Sequence, residues 1–188
     1  MKKLAFLILL AIAVVVSSCG TRTTPPTTTT TASGSWEASL TGGLAQATQL
    51  DFVVQFNVTN TNNATTEPLT IQGFSFFNGN ACFVSGQSIS GSSALGTSNA
   101  NQVTGTMTFT ITSGVPGGNT LTMTSTDLSG TANNGNLSNG AVTGTWTLTG
   151  GQGDPSCCQG SSSCPAGQQA AGVFNLCQGA APTCTVTN

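Results

Sequence analysis

The chain of 188 residues is long enough for one domain and carries very little charge. Charged residues make up 4% of it, against about a quarter in average proteins, with three Lys and Arg, five Asp and Glu, and no His or Tyr. This composition argues against nucleic-acid binding, which needs a basic patch, and against a helical bundle, whose exposed faces need Glu, Lys and Arg. The hydrophobic fraction of 37% argues against charge-driven disorder.

Residues 1–18 form a predicted signal peptide that is not part of the fold. Two lysines precede an apolar run over residues 4–16, which is too short for a membrane span but suits a signal sequence. The run ends in V-S-S-C-G at residues 16–20, which resembles the lipobox of bacterial lipoproteins. The resemblance implies cleavage before Cys19 and a diacylglyceryl group on its sulfur. Because Gly20 rather than Asp follows the cysteine, it also implies export to the outer membrane.

Residues 19–33 are predicted to form a tether between the lipid and the domain. Within it, residues 21–33 are rich in Thr and Pro, have no apolar residue able to anchor a core, and could extend about 40 Å at roughly 3.1 Å per residue. After cleavage, Arg22 is the one basic residue left beside the five acidic residues of the chain. Such a chain is not attracted to anionic lipid headgroups, so the acyl chains must provide the attachment.

Residues 34–150 are predicted to form an antiparallel β domain, because apolar and polar residues alternate with period two. The fold class is all-β, an antiparallel meander of about seven or eight strands that forms a small barrel or a sandwich. Turns are predicted at the Asn-Gly pairs 78–79, 134–135 and 139–140 and at Pro116-Gly117-Gly118. Apolar residues expected on the inner face begin the clearest runs: Trp36, Leu50, Leu69, Val103, Leu121 and Val142.

Both tryptophans follow a Gly-x motif, at Gly34-Ser35-Trp36 and Gly144-Thr145-Trp146. A Gly-x-Trp on a first strand resembles the motif of lipocalins and calycins, in which the Trp plugs the base of a barrel. The resemblance implies a ligand cavity lined by Trp36 and Trp146. The alternative is that both are core residues of a sheet whose glycines relieve crowding. A V-T-G-T sequence occurs at both 103–106 and 142–145, which indicates similar strand environments.

Residues 151–188 form a Cys-rich tail that is predicted to pack on the β domain. Setting Cys19 aside leaves six of the seven cysteines, which predicts three disulfides outside the cytoplasm. Five tail cysteines cannot all pair among themselves, so Cys82 must bridge to the tail or to another chain. Within the tail only Val173–Leu176 offers a short strand or a plug. The disulfide candidates are Cys82, Cys157, Cys158, Cys164, Cys177 and Cys184.

Catalytic chemistry is not expected, because the mature chain lacks His, Lys and Tyr. Glu37 and Asp51 fall on neighbouring predicted strands and are the one carboxylate pair with hydrolase potential, although both lie opposite the apolar stripe. No cofactor, metal or nucleic acid is expected. The sequence therefore favours a non-enzymatic cell-envelope lipoprotein that acts as a structural or protein-interaction module, with the membrane and an envelope protein as partners. The alternatives are a calycin-like lipoprotein that binds a small ligand or a glycan, and a carboxylate-dependent hydrolase.

Overall fold

The computed structural model of the chain describes residues 27–42, 50–61, 65–77, 82–83, 86–98, 100–151 and 169–179. These residues form nine β-strands and, apart from a 3₁₀ turn at Leu50, no helix. Within this part of the chain, therefore, no helix has the length and apolar character needed to cross a membrane. The strands are β1 (Thr29–Thr41), β2 (Phe52–Thr61), β3 (Glu67–Pro68), β4 (Thr70–Phe76), β5 (Gln87–Thr97), β6 (Gln102–Ser113), β7 (Thr120–Asn133), β8 (Asn136–Thr149) and β9 (Gln169–Gln178).

All nine strands belong to one sheet, in the order β3-β5-β6-β7-β8-β9-β1-β2-β4. Each neighbouring pair in this order is antiparallel. The two edge strands, β3 and β4, are separated in the chain only by Leu69, whose N–H donates to the Gly91 carbonyl on β5 at 2.9 Å. One short stretch thus brings both edges of the sheet together, and the result is a nearly closed barrel. The predicted all-β antiparallel fold is confirmed, with a barrel rather than a sandwich.

The seam of the barrel is closed by buried polar side chains. Asn60 on β2 donates through Nδ2 to the Ser93 carbonyl on β5 at 2.9 Å, and Ser93 Oγ donates back to Asn60 Oδ1 at 3.0 Å. Next to them, the hydroxyl groups of Thr30 and Thr97 are 2.7 Å apart. Polar groups buried in a protein are costly unless they are hydrogen-bonded, and these groups bond to each other. The side chains therefore connect β5 to β1 and β2, with neither of which β5 forms a backbone ladder in the part of the chain that the structure describes.

The inner face of the barrel is filled by apolar side chains. Trp36 on β1 stacks on Phe56 of β2 with ring centroids 5.5 Å apart, and Phe56 contacts Phe109 of β6 at 5.9 Å. All three are 0% exposed. This row of rings crosses the interior, and Leu, Val and Met side chains from the other strands complete the core. Threonines occupy many of the alternate positions that face outwards, as on β6 and β7.

A bend in β7 lies between the two V-T-G-T sequences, which are on the neighbouring strands β6 and β8. The register of β7 shifts near Ser125 against both of its neighbours, β6 and β8. Gly144 of the second V-T-G-T pairs with Ser125 at this bend, and a Cβ atom there would meet the backbone of Thr124 and Ser125. Gly105 of the first has a φ of 150°, and a Cβ atom there would instead meet the backbone of Ala94 and Leu95 on β5. Ser125 Oγ accepts the Met107 N–H at 2.7 Å in the gap left by the shift. The two glycines are therefore required by different neighbours, Gly105 by β5 and Gly144 by β7.

Two of the predicted turns are confirmed and one is wrong. Asn134 and Gly135, with φ of 50° and 79°, form the tight turn between β7 and β8, and residues 116–118 turn between β6 and β7. Asn139-Gly140 lies instead inside β8, where Asn139 has a φ of 52° at an extra residue relative to β7. A Cβ at Gly140 would collide with the Trp36 ring, so this pair forms a bulge that makes room for the tryptophan. The pair 78–79 lies outside the described residues.

The β domain extends beyond the predicted bounds 34–150 at both ends. The strand β1 begins at Thr29, inside the predicted tether, and pairs with β2 from Thr29 onwards. In the predicted tail, β9 is a full strand between β8 and β1. Part of the tail is thus a central element of the sheet rather than a segment packed on its surface.

Gln178 is the last residue of β9, the strand that separates β1 from β8. We call the place where β1 and β8 come together beyond β9 the fork. There β1 and β8 pair with each other directly and in parallel, at Thr31 and Asn136. The Gln178 side chain fills the fork. Its Nε2 donates to the carbonyls of Ser33 on β1 at 3.0 Å and Leu137 on β8 at 3.1 Å, and its Oε1 accepts the Gly140 N–H at 3.2 Å. One side-chain amide therefore satisfies three backbone groups on two strands.

Candidate functional site

A cleft on the outer face of the barrel brings together side chains from β1, β9 and the ends of β2 and β4. Its volume is about 190 Å³. It combines two carboxylates, an exposed phenyl ring, an amide and a hydroxyl group. We call it the Asp51 cleft, and it is lined by Glu37, Ala38, Ser39, Asp51, Phe77, Asn175 and Cys177.

Asp51 is held in place by two hydrogen bonds that arise from the strand pairing. Its Oδ1 accepts the Leu40 N–H at 2.7 Å, and its backbone carbonyl accepts the Phe77 N–H at 3.0 Å. Its second carboxylate oxygen has no hydrogen-bond partner among the described residues. Burial raises the pKa of the Asp51 carboxyl above its usual value of 3.8, and the hydrogen bond from Leu40 opposes this rise. Asp51 is therefore a fixed, partly desolvated acid.

Glu37 reaches the same cleft from the neighbouring strand. It pairs with Val53 on β2, two residues along from Asp51, so the two carboxylates occupy diagonal positions on the outer face. The sequence predicted both features, the neighbouring strands and the position opposite the apolar stripe, and the structure confirms them. Two carboxylates that line one cleft can attract a cation.

Phe77 and Asn175 complete the cleft, and sequence reasoning missed both. Phe77 directly follows β4 and is 53% exposed, whereas Phe74 and Phe76 pack against the core. Asn175 projects from β9, which the sequence did not identify as a full strand. The signal available in the sequence was the polar Asn175 between the apolar residues Phe174 and Leu176.

Trp36 and Trp146 are core residues in the structure, and both are 0% exposed. Trp146 Nε1 donates to the Thr41 carbonyl at 3.1 Å. Trp36 Nε1 is buried without a hydrogen-bond partner among the described residues. Neither ring lines the Asp51 cleft or the two larger clefts described below. The two tryptophans therefore pack as core residues of a sheet, which was the alternative to a ligand cavity.

The cysteines are divided between described and undescribed parts of the chain. Cys82 and Cys177 are buried and disulfide-bonded. Cys177 lies on the outer side of β9, beside the Asp51 cleft. Cys82 lies near the end of β8, because Asn119 binds its carbonyl at 2.8 Å and accepts the Gly151 N–H at 3.0 Å. The remaining candidates lie outside the described residues: Cys19, Cys157, Cys158, Cys164 and Cys184.

Two further clefts have neutral linings. One of about 360 Å³ lies at the end of the barrel where β1 begins, between Thr28, Thr97 and Asn134. The other, of about 340 Å³, is formed on the outer face by Thr143–Thr145 of β8 and Val173–Asn175 of β9, with Thr126. It shares Asn175 with the Asp51 cleft. The two outer clefts therefore adjoin each other at Asn175.

No group of three or more His, Cys, Asp and Glu side chains within the described ranges is placed to hold a metal ion. Comparisons with protein-family models, with curated proteins and with solved structures find no match to this chain. Functional conclusions for this protein therefore rest on its own residues and geometry.

Proposed function

We propose that this protein is a lipid-anchored cell-envelope protein whose β barrel acts as a non-enzymatic interaction module. The observation that carries the proposal is the N-terminal sequence, in which a positive start and an apolar run end in V-S-S-C-G at residues 16–20. Acylation of Cys19 would supply the attachment, since two or three acyl chains hold a protein firmly where one does so only marginally. The barrel would then be displayed on an envelope membrane, with the outer membrane favoured by Gly20.

The start of β1 determines how far the barrel stands from the membrane. Residues 20–28 separate Cys19 from Thr29, so the tether would reach about 30 Å when extended at roughly 3.1 Å per residue. The end of the barrel where β1 begins would face the lipid. Ser39, in the Asp51 cleft, lies about 30 Å further along β1 at roughly 3.3 Å per residue. The outer clefts would thus be directed away from the membrane, where a partner can reach them.

The packed interior supports an interaction on the outer surface over a ligand held inside the barrel. The largest side chains, including Trp36, Phe56 and Trp146, fill the space that a carried ligand would need. The outer face of β8 and β9, in contrast, offers a concave surface with the exposed side chain of Val173. This contrast favours a module that contacts another molecule through its surface.

We further propose that the six cysteines other than Cys19 form three disulfides. The disulfide-bonded state of Cys82 and Cys177 supports this. Asn119 holds Cys82 close to Gly151, where the chain leaves β8 towards Cys157 and Cys158. A partner of Cys82 within residues 157–164 follows from this proximity. The non-reduced chain should weigh six hydrogens less than the reduced chain, and peptide mapping should join Cys82 to that segment.

Membrane fractionation and crosslinking test the proposed function. Wild-type protein should require detergent for its release from the envelope, and a Cys19→Ser variant should not be lipidated. A photo-reactive side chain at Val173 should crosslink to one discrete envelope protein, whereas the same group at Thr122, exposed on β7, should not. A detergent-independent wild type would contradict the anchor, and equal crosslinking from both positions would contradict a specific interaction.

A carboxylate-dependent hydrolase is the second candidate, and one observation favours it. Asp51, with its raised pKa, shares a cleft with Glu37. Glycoside hydrolases use a pair of carboxyl groups, one of which is kept protonated by its surroundings. Hydrolysis of a polysaccharide by the wild type, lost in both Glu37→Gln and Asp51→Asn, would establish this function. Equal turnover in either variant would exclude the pair.

A further inference from the structure

The two large apolar side chains that are exposed among the described residues lie beside the same pair of clefts. Phe77 is 53% exposed and lines the Asp51 cleft, and Val173 is 50% exposed and lines the neighbouring cleft. Asn175 lines both clefts and lies two residues from Val173 on the outer side of β9. We call these two adjoining clefts, from Phe77 through Asn175 to Val173, the β9 face. Exposed apolar groups in a concave setting are typical of interaction sites.

The charge of the β9 face indicates what would bind there. Asp51 has one carboxylate oxygen bonded to the Leu40 N–H and the other without a partner among the described residues, and Glu37 lines the same cleft. All basic side chains of the chain, at Lys2, Lys3 and Arg22, lie outside the described residues. The described barrel therefore supplies no cation to this cleft, and a binding partner can.

We propose that the β9 face docks a protein segment that presents a basic side chain next to an apolar one. The guanidinium or ammonium group would enter the Asp51 cleft, donate to the Asp51 carboxylate and lie against the Phe77 ring. The apolar neighbour would cover Val173. This inference rests on the proposed role as an interaction module and names the chemistry of its partner.

Arginine fits the cleft better than lysine. Its planar group can donate to a carboxylate and stack on an aromatic ring at the same time, and arginine is enriched in protein interfaces. Burial already raises the pKa of Asp51, so a cation in the cleft would compensate the desolvated carboxylate. A neutral sugar could stack on Phe77 and accept or donate hydrogen bonds, but it would gain little from the negative charge of Asp51.

The test is an NMR titration of the whole exported chain with a peptide probe, in which the backbone amide signals are monitored. The probe is the peptide acetyl-Gly-Leu-Arg-Gly-amide, and the matched control probe contains citrulline, which has the same shape without the charge. We expect the arginine probe to shift the amide signals of Ser39 and Asn175 and to bind at least about tenfold more tightly than the citrulline probe. Asp51→Asn should weaken binding about tenfold, and Phe77→Ala should weaken it severalfold.

The variants keep the test independent of folding. Asparagine at position 51 can still accept the Leu40 N–H, so Asp51→Asn should retain the wild-type amide spectrum outside the cleft. Glu67→Gln on β3 removes a carboxylate that lines neither outer cleft and should leave binding unchanged.

Three results would overturn the inference. The first is equal affinity for both probes, or equal affinity in Asp51→Asn. The second is tighter probe binding in Arg22→Gln, which would mean that the chain's own tether occupies the cleft. The third is a shift of the same amides by chitotriose that Asp51→Asn does not change, which would indicate a saccharide site. None of these results depends on the lipid anchor, which is tested separately through Cys19.

Discussion

Replacing Gln178 tests whether one side chain holds the fork between β1 and β8. Its amide makes three hydrogen bonds, to the carbonyls of Ser33 and Leu137 and from the Gly140 N–H. At about 1 kcal/mol each, and with water able to reach the exposed Ser33 carbonyl, Gln178→Ala should lower the free energy of unfolding by about 2–3 kcal/mol. For a domain of this size that is a decrease of about 4–12 °C in Tm.

A charged variant separates the hydrogen bonds from the volume of the side chain. In Gln178→Glu the carboxylate can still accept the Gly140 N–H but has no proton to donate to the two carbonyls. It should be at least as destabilising as alanine at pH 7 and should recover in part below about pH 4.3, where Glu is protonated. Urea unfolding measures both variants. Gln87→Ala, at an exposed position with no side-chain hydrogen bond among the described residues, is the control. A Gln178→Ala variant as stable as this control would refute the role of the amide.

Three further predictions concern the core, the cleft and the bulge. Trp146→Phe should lower the free energy of unfolding, measured in urea, by about 1–2 kcal/mol more than Trp36→Phe does. Trp146→Phe removes a hydrogen bond, whereas Trp36→Phe removes a buried donor that has no partner among the described residues. Equal decreases for the two variants would contradict this prediction. The raised pKa of Asp51 means that the folded chain binds its proton more tightly than the unfolded chain, so this carboxyl should add stability as the pH falls from its folded pKa towards 3.8. At pH 7, Asp51→Asn should therefore be at least as stable as the wild type, and its stability should not rise in this pH range. If stability against pH is the same in the variant and the wild type, the Asp51 carboxyl does not contribute. Gly140→Ala should lower the Tm and alter the fluorescence of Trp36, because the Trp36 ring occupies the space that the added methyl group needs. If the fluorescence spectrum and the Tm stay as in the wild type, the contact with Trp36 is not the reason for a glycine at this position.

Alternation along the sequence was sufficient to predict most of the barrel. Threonine and apolar residues alternate cleanly over β6 and β7, because one face of each strand meets the core and the other meets water. β9 was not predicted as a full strand because it opens with Gln-Ala-Ala-Gly, in which small residues carry little pattern. Its position between β8 and β1 depends on pairing with distant strands, which local pattern does not specify.

The candidate site was predictable only in part for the same reason. Glu37 and Asp51 could be placed on one face of neighbouring strands from alternation alone. Their cleft, however, also needs Asn175 from β9 and Phe77 from the end of β4. The sequence predicts a turn at Asn139-Gly140 because Asn-Gly suits a backbone with positive φ. The pair forms a bulge instead, which depends on the contact of Gly140 with the Trp36 ring from a distant strand.

The intact mass of the protein tests the proposed anchor most directly. The whole chain would be produced in a bacterial cell that processes lipoproteins, extracted with mild detergent and measured after reduction, beside a Cys19→Ser control. The account predicts the mass of residues 19–188 plus a diacylglyceryl group, with or without a third acyl chain, and no lipid on the control. A wild-type chain of unmodified mass, or one that begins at another residue, would contradict it.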